Sequence, residues 1–110
     1  MSYRVGIAPA AKREIKKLAK KAPAADFKAI VDAIDSLGAN PRPDGVEKLS
    51  GAEGIYRVRR GNFRIIYQVQ DGKLLVVVVK VANRKEAYQG IIQEAVKRAI
   101  AYAESRGANL

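Results

Sequence analysis

Residues 74–79 read Leu-Leu-Val-Val-Val-Val, apolar at every position and bracketed by Lys73 and Lys80. An unbroken apolar run of this length suits a central strand covered on both faces, so it demands a sheet with packed layers on either side. The text before it supplies partners. "IYRVRR" and "FRIIYQV" have strand composition, and Gly61-Asn62 and Asp71-Gly72 are the intervening turns, which predicts a three-strand meander from Ile55 onward.

Upstream, "SYRVGIAP" alternates Tyr3, Val5 and Ile7 with Arg4 and Gly6, the period of a strand, and Pro9 fits the first turn of a helix. In the helix that follows, Ala8, Ala11, Ile15, Leu18 and Ala22 form one apolar stripe, while Lys12, Arg13, Lys16, Lys17, Lys20 and Lys21 take the opposite surface. Pro23 interrupts this pattern, which resumes through Phe27, Ile30, Ile34 and Leu37 and stops at Gly38. "GANPRPDG" at 38–45 has the composition of a long loop. Helical spacing returns at Ile92, Val96, Ala99 and Ala103, with Gly107 as a cap.

The expected order is therefore β-α-α-β-β-β-α in a single domain over 1–110, with a core of 1–90 and a C-terminal helix at 91–107. This is an α+β fold: one small antiparallel sheet that includes the first strand, two N-terminal helices packed on one face, and a C-terminal helix. A chain of 110 residues buries roughly two thirds of its unfolded surface and folds without cross-links.

Twenty-one Lys and Arg against eleven Asp and Glu give a net charge of +10, a field that attracts polyanions, with nucleic acid the first to consider. An anionic membrane surface or an acidic protein would answer to the same charge. The chain contains no cysteine and no histidine, which excludes disulfides, thiolate metal sites and histidine-based ribonuclease chemistry. The acidic residues are scattered over helices and turns, so a metal nuclease is not expected and no metal or cofactor is assigned. No apolar run reaches the eighteen or so residues of a membrane span and the opening residues lack a signal-peptide core, so the expected location is the cytoplasm.

The cations gather most densely in "GIYRVRRGNFRIIYQV", residues 54–69, where Arg57, Arg59, Arg60 and Arg64 have no acid between Glu53 and Asp71. With Gly61-Asn62 as a two-residue turn, Arg60 pairs with Phe63, Arg59 with Arg64, Val58 with Ile65 and Arg57 with Ile66. Arg57, Arg59 and Arg64 then share one side of the sheet, while Tyr56, Val58, Ile65 and Tyr67 point under the helices. Like charges directly opposite one another destabilise a hairpin. Two readings stand: a solubilising outer face, or a surface held cationic for an anion. The missing acids favour the second, because exposed faces ordinarily mix both signs. A three-residue turn would instead set Arg59 opposite Phe63 and weaken that reading.

"KLSG" at 48–51, "YRVRRGNFRIIYQV" at 56–69, "VANRKEAYQG" at 81–90 and "EAVKR" at 94–98 resemble the toxins of the RelE type, in the RelE/ParE superfamily of toxin-antitoxin systems. The resemblance covers most of the chain. It implies a small antiparallel sheet with two N-terminal helices on one face, and a toxin that enters the ribosomal A site and cuts messenger RNA without metal. It implies that Arg57, Arg59, Arg64, Arg84 and Tyr88 form the active site. Lys48, Arg60, Lys80 and Lys85 become RNA-contacting candidates, and Lys12, Lys16 and Lys20 on the first helix become candidates for ribosomal RNA. A cognate antitoxin is the further partner it implies. Many relatives carry lysine where this chain has Arg57 and Arg59, which leaves the general base open among Lys80, Lys85 and the phenol of Tyr88. Two rivals accompany this reading: a ParE-like protein inhibitor of DNA gyrase, and a nonenzymatic RNA- or ribosome-binding module.

Overall fold

The computed structural model describes residues 2–49 and 54–83, together with residues 93, 94, 97, 98 and 101. Arg84, Lys85 and Tyr88 and most of the expected C-terminal helix lie outside the described residues; the five isolated positions are helical. In chain order the elements are β1 (Arg4–Ile7), α1 (Pro9–Lys21), α2 (Ala24–Ser36), β2 (Glu47–Lys48), β3 (Ile55–Arg60), β4 (Phe63–Gln70) and β5 (Leu75–Asn83).

One five-stranded sheet runs in the order β1-β5-β4-β3-β2. The α+β architecture expected from sequence is present, with two differences. The two-residue strand β2 adds an edge that the pattern did not announce, and β1 lies parallel to β5, so the sheet is mostly rather than wholly antiparallel. The meander β3-β4-β5 is antiparallel as expected. Its second connection is a 3-10 turn over Asp71–Lys73 that leaves Leu74 left-handed at φ 49°, so the strand starts at Leu75 rather than Leu74.

Local chemistry fixes the helices. Pro9 opens α1, Lys20 and Lys21 sit in its last turn where cations complement the helix dipole, and Ala22 and Pro23 separate it from α2. Gly38 follows α2 for a reason the sequence pattern did not give. A Cβ there would lie 2.9 Å from the Tyr3 carbonyl oxygen, and the Tyr3 N–H donates to the Gly38 carbonyl at 2.7 Å, so the glycine lets β1 approach closely.

The apolar run does what its composition demands: Val76, Val77, Val78 and Val79 are all fully buried in β5, an interior strand between β1 and β4. Val76, Val78 and Val81 join Ala11, Ile30, Ile34 and Leu37 of the helices, while Val77 and Val79 join Ala8, Leu49, Ile55 and Ile66 in a second cluster. A strict alternation would put Val79 and Val81 on one face. A bulge prevents that, since Ile66 pairs with Lys80 but Tyr67 with Val78, leaving Val79 as the extra residue.

Candidate functional site

The hairpin β3-β4 closes with a two-residue turn at Gly61-Asn62, where Gly61 takes φ 57°. Its register pairs Arg60 with Phe63, Arg59 with Arg64, Val58 with Ile65 and Arg57 with Ile66, as derived from sequence. Arg57, Arg59 and Arg64 therefore occupy one face of the sheet, because directly opposed residues share a face and alternate residues return to it. Arg59 is exposed; Arg57 and Arg64 are half-buried.

The expectation that this face lacks a carboxylate is corrected by Glu47. Strand β2 pairs Glu47 directly with Arg57, and the Arg57 Nη2 donates to Glu47 Oε2 at 2.5 Å. The hydrogen bond from Arg57 and its positive charge, followed by the charges of Arg59 and Arg64, hold the Glu47 carboxyl below its ordinary range. Nε of Arg57 is buried without a hydrogen-bond partner. Among the described residues Arg59 has neither a hydrogen bond nor an ion pair. The sequence pattern does not announce this pair, because Glu47 stands ten residues from Arg57 on a strand too short to show periodicity.

The other expected residues separate into groups. Lys12, Lys16 and Lys20 are exposed at four-residue steps along α1. Lys48 pairs with Tyr56 and Arg60 with Phe63, which places both on the opposite face from the three arginines. Lys80 departs from its expected RNA-contacting role. It is 6% exposed, and its Nζ lies 2.9 Å from Glu14 Oε2 and 3.7 Å from Glu94 Oε2, so its charge is already balanced inside the protein. Arg98 completes that network, donating from Nη1 to Glu14 at 3.2 Å and to the Val79 carbonyl at 3.1 Å, and pairing through Nη2 with Glu94.

A separate polar cluster fastens the loop after α2. Arg42 forks onto Asp71 at 3.2 and 2.8 Å, donates from Nε to the Tyr56 hydroxyl at 3.0 Å, and lies 5.2 Å from the centre of that ring. Tyr3 also donates to Asp71, at 2.5 Å. Behind this layer Tyr56 stacks on Tyr67, whose buried hydroxyl donates to the Pro41 carbonyl at 2.7 Å. Among the described residues no three acidic side chains stand close enough together to hold a metal ion, and no helix is long and apolar enough to cross a membrane.

Comparison with known proteins fits this geometry. A family profile described as the ParE toxin of the type II toxin-antitoxin system, parDE, matches residues 5–88. Toxin RelE1 of Methanocaldococcus jannaschii is 33% identical over 81 residues, 71% of this chain and 89% of that protein. Toxin RelE of Mycobacterium tuberculosis is 30% identical over 87 residues, 79% of this chain and 87% of that protein. Among solved structures, an Escherichia coli RelE with two arginines replaced by alanine, in the free state, superposes with a TM-score of 0.70 at 28% identity, covering 89% of this chain and 98% of that one. The RelE of a RelE–RelB complex from Pyrococcus horikoshii OT3 superposes with a TM-score of 0.66 at 29% identity, covering 79% of this chain and 100% of that one. By the family profile, these relatives and the shared fold, the chain belongs to the RelE/ParE superfamily of type II toxins, as a toxin of the RelE type.

Proposed function

We propose that this toxin is a ribosome-dependent endoribonuclease that cuts messenger RNA in the A site without metal. The observation that carries the reading is the placement of Arg57, Arg59 and Arg64 on one face by a two-residue hairpin turn. In such a cleavage the 2′-oxygen attacks the adjacent phosphorus while the bond to the 5′-oxygen breaks. The 2′-hydroxyl gives up its proton and the departing 5′-oxygen takes one. Negative charge grows on the nonbridging oxygens as this happens, and fixed cations stabilise it, each such donor being worth about 10²- to 10³-fold in rate. Guanidinium groups suit that role, because they stay charged and fork onto phosphate oxygens.

Arg84 and Tyr88 complete the proposed site on the strength of the family motif. Arg84 adds a cation, and Tyr88 stacks on a base or steadies the attacking group. Lys12, Lys16 and Lys20 present an exposed cationic row for ribosomal RNA. RelE–RelB complexes from Pyrococcus horikoshii and Mycobacterium tuberculosis support a cognate antitoxin as the partner that neutralises this toxin. The cytoplasm, where messenger is translated, is the proposed place of action.

A ribosome-programmed cleavage assay tests the assignment. Arg64→Ala and Arg84→Ala are each expected to cut messenger about 10²-fold or more slowly than the wild type, and equal cleavage by all three would contradict it. The family profile's description as a ParE toxin favours a second reading, inhibition of DNA gyrase. Loss of supercoiling activity in a gyrase assay, with messenger left intact, would establish that one instead.

A further inference from the structure

We propose that Glu47 is a built-in counter-anion of the arginine face, seated where an RNA phosphate engages Arg57 and displaced by that phosphate when substrate docks. The inference rests on the reading of this face as an RNA site and adds a device that regulates it.

The strand register sets Glu47 directly opposite Arg57, on the face that also carries Arg59 and Arg64. Among the described residues no other carboxylate pairs with Arg57 or Arg59. A carboxylate and a phosphodiester both accept from a guanidinium edge through two oxygens, so they compete for the same donors. The pair is unequal in mobility. The Arg57 side chain is 17% exposed with its Nε buried, whereas that of Glu47 is 49% exposed and rises from a two-residue edge strand. Arg57 is the fixed member, and Glu47 swings away at little cost to the core.

While Glu47 is seated, a phosphate approaching Arg57 meets a like charge and must break an existing ion pair. RNA held loosely in solution gains no contact to Arg57. A phosphodiester already positioned by other contacts displaces the carboxylate and takes up Arg57. The arginine cluster is thereby kept from repelling itself in the empty toxin, and its affinity for stray RNA is lowered.

Binding of a noncleavable 2′-O-methyl oligonucleotide to the full-length toxin, measured by fluorescence anisotropy across a salt series, tests this. Glu47→Gln is expected to bind about 10-fold more tightly at 0.1 M salt, with a log–log salt slope steeper by about 0.7, the increment for one added phosphate contact on a single strand. The gain is expected to vanish when Arg57→Ala is added. Affinity that is unchanged or weaker in Glu47→Gln, or a gain that survives without Arg57, would overturn the inference. Arg59→Ala and Arg64→Ala separate the two layers of reasoning. If neither weakens wild-type binding, the reading of the face as an RNA site fails as well; if both weaken it while Glu47→Gln changes nothing, only the counter-anion is refuted.

Discussion

Replacing Glu14 by glutamine strips one charge from the centre of the network that ties α1 to β5 and to residues 94 and 98. Glu14 accepts from Lys80 Nζ at 2.9 Å, from the Val81 N–H at 3.1 Å and from Arg98 at 3.2 Å. Glutamine keeps an acceptor for the Val81 N–H but leaves Lys80, only 6% exposed, facing Glu94 alone at 3.7 Å. Removing one member of a buried pair costs about 3 to 5 kcal/mol. Glu14 is 23% exposed and Glu94 remains, so the low end applies, about 3 kcal/mol. A domain of this size loses roughly 4 °C of melting temperature per kcal/mol, which makes the expected fall about 12 °C. In urea the midpoint is expected to drop by roughly 1.5 M at unchanged slope. Adding Lys80→Met removes the stranded ammonium and is expected to restore at least half of the loss. A cost below about 1 kcal/mol for Glu14→Gln, or no rescue by Lys80→Met, would refute the reasoning.

Burial pushes the Tyr67 phenol up to about 12, so the folded state keeps a proton that the unfolded chain sheds above about 10; stability intact below that point is lost as pH rises, at about 1.4 kcal/mol per pH unit between 10 and 12. Tyr67→Phe is expected to flatten this alkaline decline in urea midpoints while costing about 1 kcal/mol at neutral pH through the lost bond to Pro41; the same decline in both proteins would show that Tyr67 is not its source. Arg59→Glu turns the direct Arg59–Arg64 opposition into an attraction, so it is expected to stabilise the fold by about 0.2 to 1 kcal/mol while slowing messenger cleavage about 10²-fold or more. Melting scans and the ribosome assay read the two effects separately, and a less stable or fully active Arg59→Glu would count against the paired register or its role.

The sheet was legible wherever the sequence carried a period or a turn. Gly61-Asn62 set the hairpin register, and with it the shared face of Arg57, Arg59 and Arg64, because a two-residue turn leaves no freedom in which residues oppose. The unbroken apolar run marked β5 as an interior strand covered on both faces. What escaped notice depends on contacts distant in sequence. Two residues cannot display alternation, so β2 and its Glu47 were invisible, and with them the ion pair of Arg57. Lys80 was expected to contact RNA; only the fold brings Glu14 and Glu94 to it, and only the bulge at Val79 sets the phase of the strand around it. The parallel direction of β1 was likewise undetermined, since a strand's own pattern does not say which way its neighbour runs.

The pairing of β1 with β5 also governs when this toxin can exist. Arg4 meets Leu75 across about 70 residues of chain, and the parallel ladder between them is the longest-range contact in the sheet. During synthesis the helices and the first hairpin can form while β1 remains solitary, because its partner has not yet emerged from the exit tunnel. Closure of the sheet at this edge waits for β5, the last of the strands in chain order among the described residues. A chain cut short before β5 would therefore leave β1 without its partner and β4 with an open edge.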